Sequence, residues 1–209
     1  MTDKSGLGFG IVGCGMIGHF HAKAIQAMQG GHLECVFDLR ADASDKLAAD
    51  YGVKAYSKYE EFLAHPGLNV VTIGTPSGSH LDPAVGAANA GKHVICEKPL
   101  ARTAAEARQI LTAARAARGF FLPAMCLRFW PGWTWLKDAI DKQTYGKVFA
   151  AHFRRVAQHP GGPFYVDGSQ CGGAALDCSN VASYTDSFAG CTQAPCIVSV
   201  PCPLGASPG

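Results

Sequence analysis

Short apolar runs and longer segments of helical periodicity alternate along the first part of the chain. Residues 9–12 form the first apolar run, which is typical of a buried strand. The apolar positions that follow at helical spacing are Ile17, Phe20, Ala24, Ile25 and Met28. They predict a helix that Gly30 and Gly31 end.

The same alternation continues to about residue 129. Further strands are predicted over residues 33–37, 69–74, 93–96 and 120–129, with helices over about 42–51, 81–90, 104–118 and 130–140. Strands that alternate with helices at this spacing predict an α/β fold. The expected architecture is a doubly wound parallel Rossmann sheet with helices on both faces.

Two sequences match the capping box that begins a helix. They are Ser57 with Glu60 and Thr103 with Glu106. In this motif the N-cap hydroxyl accepts from the backbone N–H three residues on, and the glutamate accepts from the N-cap N–H. The first box predicts a short helix, and the second predicts the start of an alanine-rich helix.

A Gly-x-Gly-x-x-Gly motif lies between the first strand and the first helix. Gly13 permits the tight turn, Gly15 lets the backbone approach a pyrophosphate, and Gly18 lets the helix pack closely on the strand. Met16 and Ile17 begin the helix, whose free N–H groups and dipole favour phosphate. This unit predicts dinucleotide binding.

Asp38 ends the second predicted strand, twenty residues after Gly18. A carboxylate at this place binds the ribose hydroxyls of a dinucleotide, and it favours NAD because it would repel a 2′-phosphate. Arg40 leaves NADP open, since a guanidinium can stack on adenine or bind a phosphate. The alternative for the whole unit is an ordinary strand-to-helix turn with Asp38 as a loop acid.

Polar residues also follow the next two strands, at residues 75–80 and 97–99. Ligands of parallel α/β sheets lie beyond the carboxyl ends of the strands. These two segments therefore converge with the glycine motif and Asp38 on one predicted crevice.

Composition narrows the class of protein. The chain has 209 residues, 48% of them hydrophobic, and a formal net charge of +2 without a basic block, which excludes nucleic acid and membrane surfaces as expected partners. No apolar run is long enough to cross a bilayer, and the apolar stretch near the start lacks a signal-peptide cleavage site. We expect a cytoplasmic protein with a buried core.

Nine cysteines are present, and they predict no metal site. Five lie towards the end of the chain at Cys171, Cys178, Cys191, Cys196 and Cys202. Their spacing matches no paired zinc-ligand pattern, and an odd total argues against a closed disulfide framework. The other four, Cys14, Cys35, Cys96 and Cys126, lie singly in apolar segments and are expected to act as small hydrophobes.

These motifs, taken in order, resemble the Gfo/Idh/MocA oxidoreductase family, which includes glucose-fructose oxidoreductase and inositol dehydrogenase. The matching residues are Gly13–Gly18, Thr75-Pro76 with His80, Glu97-Lys98-Pro99, Arg128-Phe129-x-Pro131, Tyr145-Gly-Lys-Val148 and Gly172-Gly-Ala-Ala-Leu-Asp177. The resemblance spans roughly residues 8–177. Its most specific part is the Glu-Lys-Pro element directly after a strand.

The resemblance implies an enzyme that moves a hydride between NAD or NADP and a hydroxyl-bearing carbon of a sugar, cyclitol or related polyol. It implies that Thr75 and Pro76 line the cofactor and that Glu97 shapes its pocket. His80 is either a cofactor contact or a structural residue that opens a helix. Family members homo-oligomerise through a second α/β domain that supplies much of the substrate site.

Lys98 matches the family lysine that lies near substrate and nicotinamide. Its ammonium can orient a hydroxyl or stabilise negative charge on oxygen; the alternative is a solvated loop lysine. The resemblance further implies a catalytic role for Asp177, and Arg128 and Arg154 are assigned to the substrate.

The family pattern breaks after Asp177. A family histidine four residues later is Val181 here, and a second family aspartate is Tyr184. Loss of a general base typically costs about a hundred- to ten-thousand-fold in rate. An impaired NAD-binding module is therefore the alternative function, and a nonfunctional fragment is a third possibility.

We expect a dinucleotide-binding domain over residues 1–125, the start of an incomplete second domain over 126–178 and a divergent tail over 179–209. A strand predicted over residues 147–157 would lack its sheet neighbours, which favours self-association. A reading-frame shift near Cys178 would explain the tail, and a truly divergent short tail is the alternative.

Overall fold

A computed structural model describes residues 6–148. Asp177, Arg154, Val181 and Tyr184 lie outside these residues, as do the predicted tail and nearly all of the strand predicted over residues 147–157. The second-domain boundary and the self-association of that strand therefore stay predictions.

Six strands form one parallel sheet in the described part of the chain, in the order β3-β2-β1-β4-β5-β6. They are β1 Leu7–Val12, β2 Gly31–Phe37, β3 Lys54–Tyr56, β4 Leu68–Ile73, β5 His93–Cys96 and β6 Phe121–Pro123. The helices are α1 Met16–Ala27, α2 Ala41–Tyr51, α3 Tyr59–Leu63, α4 Leu81–Asn89, α5 Ala104–Ala116 and α6 Pro131–Asp141. The predicted doubly wound Rossmann sheet is confirmed.

Apolar side chains from both faces of the sheet bury against helices. On one face, Ile11 and Val36 pack with Ile25 of α1 and Leu47 of α2. On the other face, the strands pack against α3, α4 and α5. The buried side chains of that layer include Val71, Ile73, Phe62, Ala84 and Ile110. Two covered faces explain why the central strands read as continuous apolar runs rather than alternating ones.

Two sequence predictions need correction, and one strand has no counterpart among the predicted elements. That strand is β3, whose three residues at a sheet edge show too little periodicity to detect. The capping box at Ser57 is wrong: α3 begins after Lys58, and no side chain caps it. The strand predicted over residues 120–129 is only β6, followed by a 3-10 turn at Cys126–Phe129. Pro123 is the last residue of this edge strand, a place where proline is tolerated, and the Ala124 N–H still donates to the Cys96 carbonyl oxygen of β5 at 2.7 Å.

The second capping box is confirmed. Thr103 Oγ1 accepts from the Glu106 N–H at 3.2 Å, and the Thr103 N–H donates to Glu106 Oε2 at 3.0 Å. Both bonds satisfy backbone donors that the first turn of a helix leaves without partners.

None of the helices within residues 6–148 has the length and apolar character needed to span a bilayer.

Candidate functional site

The carboxyl ends of β2, β1, β4 and β5 lie side by side at one edge of the sheet. The strand order reverses at β1, because β2 lies on one side of it and β4 on the other. This reversal is the place where open α/β sheets form a ligand crevice. All the predicted cofactor residues follow these four strands.

The glycine turn after β1 has the geometry that the sequence predicts for two of its glycines. Gly13 has a φ of +92°, which only glycine adopts readily. A Cβ on Gly18 would lie 2.3 Å from the Gly13 carbonyl oxygen, so only glycine lets α1 pack this closely on β1. A Cβ on Gly15 would have no heavy atom within 4 Å, which leaves open space at the start of α1.

The first turn of α1 faces this space without a side-chain cap. Gly15 is its N-cap residue, and the first turn carries no acidic residue. Met16 is exposed, whereas Ile17 packs towards Gly74 at the end of β4. The amino end of α1 therefore keeps backbone N–H groups and a positive dipole available for an anion.

Asp38 is half-buried at the end of β2 and reaches the glycine turn. Its Oδ2 accepts from the Cys14 N–H at 2.7 Å, and its Oδ1 accepts from the Arg40 N–H at 2.9 Å. A carboxylate has about four lone-pair positions, so further hydrogen bonds remain possible. Leu39 and Arg40 are exposed beside it. Leu39 has 92% of its surface exposed.

The segment after β4 is held by its own hydrogen bonds and by His80. Thr75 Oγ1 donates to the Ser79 carbonyl oxygen at 3.1 Å, and Pro76 is exposed. His80 is only 1% exposed. Its Nε2 lies 3.0 Å from the Thr75 carbonyl oxygen, and its Nδ1 lies 2.9 Å from that of Pro99. The imidazole is thus enclosed between two backbone segments.

Glu97 connects the segment after β5 with the glycine-turn helix. Its Oε1 lies 3.2 Å from His21 Nε2 on α1, and its Oε2 accepts from the Lys98 N–H at 3.1 Å. Burial by itself would raise the pKa of Glu97, but the hydrogen bond and charge of His21, helped by Lys98, hold the pKa below its ordinary value. No motif or spacing points to His21 as a partner of Glu97, because the two residues are 76 positions apart in the chain.

The remaining predicted site residues are less enclosed. Lys98 is half-buried, and its peptide bond to Pro99 is cis. Arg128 is exposed in the 3-10 turn that follows β6, at the carboxyl edge of the sheet. Asp177 and Arg154 fall outside the described residues, so the structure brings together the cofactor set but not the full substrate set.

The cysteines of the described residues carry no disulfide. Cys14, Cys35 and Cys96 are buried, and burial raises the pKa of each to about 12, with help from Asp38, Glu34 and Glu97 respectively. Cys126 is exposed, so of the four cysteines expected to act as small hydrophobes only the other three are packed among apolar side chains. No cluster of three or more metal-ligating side chains occurs within residues 6–148.

A separate cavity of about 510 Å³ opens at the start of α6. It is lined mainly by Trp130, Trp133, Trp135 and Leu136, none of which belongs to the predicted site. The helix buries none of its residues completely. The concave apolar surface and the polar crevice are therefore different places on the molecule.

Comparison with known proteins agrees with this geometry. Residues 7–123 match the family model described as "Oxidoreductase family, NAD-binding Rossmann fold", GFO_IDH_MocA. The chain is 33% identical to trans-1,2-dihydrobenzene-1,2-diol dehydrogenase of Macaca fuscata fuscata over 176 residues, which cover 82% of this chain and 52% of that one. It is 32% identical to inositol 2-dehydrogenase of Salmonella paratyphi B over 158 residues, covering 74% and 46% respectively.

A solved structure is similar as well. Levoglucosan dehydrogenase, in complex with NADH and L-sorbose, superimposes with a TM-score of 0.78 at 25% identity, covering 88% of this chain and 54% of that one. The chain thus spans about half the length of the relatives it matches.

The sheet order, the glycine turn and the acid at the end of β2 define an α/β Rossmann domain of the dinucleotide-binding class. Within that class, the chain belongs to the Gfo/Idh/MocA family of NAD(P)-dependent oxidoreductases. The resemblance inferred from the sequence motifs is confirmed.

Proposed function

We propose that this chain binds NAD in the crevice and is the cofactor part of a dehydrogenase that acts on a sugar, cyclitol or related polyol. The observation that carries the proposal is Asp38, which bonds the glycine turn and keeps further acceptor positions. Through this bond, Asp38, which would bind the ribose, contacts the glycine turn, which would bind the pyrophosphate.

The residues present fit the cofactor. The space at Gly15 and the uncapped start of α1, at Met16 and Ile17, suit the pyrophosphate. Asp38 suits the two ribose hydroxyls, and its charge disfavours the 2′-phosphate of NADP. Arg40 is exposed beside it, so NADP is the second cofactor to test.

The nicotinamide half would lie towards the ends of β4 and β5. Thr75 and Pro76 would line it, and the adjoining turn carries Glu97 and Lys98. His80 is enclosed behind these segments and supports them rather than facing a ligand.

The bound nicotinamide supplies hydride chemistry at a carbon that bears a hydroxyl. The Lys98 ammonium would orient that hydroxyl and stabilise negative charge on its oxygen. Asp177, Arg128 and Arg154 are proposed to complete the catalytic and substrate contacts. A polyol or sugar substrate is supported by similarity to an inositol 2-dehydrogenase and to a levoglucosan dehydrogenase solved with L-sorbose.

A second candidate function is NAD binding without efficient turnover. It is favoured by Val181 and Tyr184, which stand where the family pattern has a histidine and an aspartate. A homo-oligomer and a cytoplasmic location remain predictions from the resemblance and the composition.

Two measurements on the full chain separate these functions. Fluorescence titration with NADH and NADPH tests the cofactor site, and absorbance at the nicotinamide band with a panel of cyclitols and sugars tests turnover. Binding with turnover supports the dehydrogenase, and binding without turnover supports the second candidate. Absence of binding by the folded chain contradicts both.

A further inference from the structure

We infer that Lys98 is positioned by two histidines, His21 and His80, which anchor the residues on either side of it. The assignment of Lys98 to substrate and cofactor rests on the proposed function. The anchoring itself rests on contacts between described residues, so the two can be tested separately.

His21 anchors the residue before Lys98. It lies on α1 one turn beyond the glycine motif, and its Nε2 is 3.2 Å from Glu97 Oε1, with both side chains largely buried. The other oxygen of Glu97 accepts the Lys98 N–H, and the Glu97 N–H donates to the Ile73 carbonyl oxygen at 3.0 Å. Glu97 therefore fixes the Lys98 backbone relative to α1 through its carboxylate and relative to β4 through its own N–H.

His80 anchors the residue after Lys98. Its two ring nitrogens face the carbonyl oxygens of Pro99 and Thr75, at 2.9 and 3.0 Å. A neutral imidazole donates through one nitrogen, and a doubly protonated one donates through both. Because both partners are carbonyl oxygens, the ring bonds both segments when it carries two protons and one of them when it carries one, and in either form it fills the space between the segment after β5 and the segment after β4.

The two anchors act on one short turn from different elements. His21 comes from α1 and His80 from the start of α4, and neither is adjacent to Lys98 in the chain. Because Glu97 and Pro99 are both held, the backbone between them has little freedom. A half-buried lysine on such a turn presents its ammonium in a restricted range of directions, which is what orienting a substrate hydroxyl requires.

The test is the acetylation rate of Lys98 in the full chain without cofactor, measured by mass spectrometry. Lys58 is the exposed reference, and Lys92, whose Nζ donates to the Leu68 carbonyl oxygen, is the partly buried reference. His21→Ala and His80→Ala are each expected to raise the Lys98 rate about threefold or more relative to both references, because local opening exposes the turn.

Conservative variants and a matched control make the result specific. His21→Gln and His80→Gln keep a side-chain donor and are expected to restore part of the protection. His65→Ala removes a similar histidine–carboxylate pair, His65 Nε2 with Glu34 Oε2 at 3.3 Å, and is expected to leave the Lys98 rate unchanged. If His21→Ala does not fold, Glu97→Gln weakens the same contact with a side chain of equal size and is expected to raise the Lys98 rate. If His80→Ala does not fold, His80→Gln, compared with the wild type, tests that anchor.

A Lys98 rate that stays at the wild-type value in folded variants overturns the inference. An equal rise at Lys92 also overturns it, since that shows general loosening. NADH titration of the same proteins reports on the proposed function independently. A wild-type chain that fails to bind NADH contradicts the function and leaves the acetylation result to decide the anchoring.

Discussion

The backbone N–H of Cys14 donates to Asp38 Oδ2 across 2.7 Å, which ties the glycine turn to the end of the neighbouring strand. The bond places the carboxylate beside the space at Gly15 before any ligand arrives. A ligand that needs both features pays less ordering entropy when they are already fixed. We therefore expect changes at Asp38 or at the glycine turn to alter the affinity for NADH.

Asp38→Asn should weaken NADH binding and reduce the preference for NADH over NADPH. The amide oxygen can accept from the N–H of Cys14 or from that of Arg40 but not from both, since the other amide atom is a donor. Hydrogen bonds from the ribose to a charged acceptor, worth about 1.5–3 kcal/mol, are lost as well, so affinity should fall by about 10-fold or more. Titration with both cofactors measures the change. Asp50→Asn, on the exposed end of α2, is the control, and an unchanged preference in Asp38→Asn contradicts the prediction.

Alanine substitutions at two glycines of the turn should have different effects, one on the unfolding free energy and the other on NADH binding. Gly18→Ala places a methyl 2.3 Å from the Gly13 carbonyl oxygen, so overpacking should cost about 1–3 kcal/mol of unfolding free energy. Gly15→Ala meets no atom within 4 Å and should leave stability nearly unchanged while it weakens NADH binding. Urea denaturation and NADH titration of both variants provide the comparison. Equal losses of unfolding free energy in Gly18→Ala and Gly15→Ala would contradict this prediction.

The two capping-box sequences should respond differently to alanine. Thr103→Ala removes a cap that is formed and should cost about 1 kcal/mol of unfolding free energy. Ser57→Ala changes an exposed residue that caps no helix, so we expect a change below about 0.5 kcal/mol. Denaturant unfolding of both proteins measures the difference, and similar costs would show that the boxes are equivalent after all.

The lowered pKa of Glu97 predicts a pH dependence of stability. The folded-state pKa lies below the ordinary value of 4.5, so the carboxylate contributes stability above that value and loses it as the pH falls through the folded-state pKa. The penalty of Glu97→Gln should therefore be full near neutral pH and shrink under acid. Unfolding curves from pH 7 to pH 3 measure it. Glu61→Gln, which changes an exposed carboxylate, is the control. A loss of unfolding free energy in Glu97→Gln that does not vary with pH would contradict the lowered pKa of Glu97.

Much of the fold could be predicted because its signals are local. The strands before Gly13 and Asp38 are apolar runs, and Thr103 with Glu106 is a complete local motif. The edge strand β3 and the end of β6 depend on pairing with the neighbouring strands β2 and β5, which periodicity does not report. Local signals also misled: Ser57 and Glu60 match a box that the chain does not form.

Some features of the candidate site could likewise be predicted from local sequence, whereas others depend on tertiary contacts. The glycines and Asp38 could be predicted because each residue type meets a backbone or charge requirement at a known place in the sheet. The contact of His21 with Glu97 joins residues far apart in the sequence, and the enclosure of His80 depends on tertiary packing. Neither the His21–Glu97 contact nor the burial of His80 could be predicted from residue spacing or composition.

The most direct test of the cofactor site is a residue-resolved NMR titration of the full chain with NADH. We predict saturable shifts of the amide signals of Cys14, Gly15, Gly18 and Asp38, with no shift at His65 outside the crevice. Saturable binding that moves other signals and leaves the glycine turn unchanged would contradict the site. A folded chain whose signals do not move at any NADH concentration would contradict the function as well.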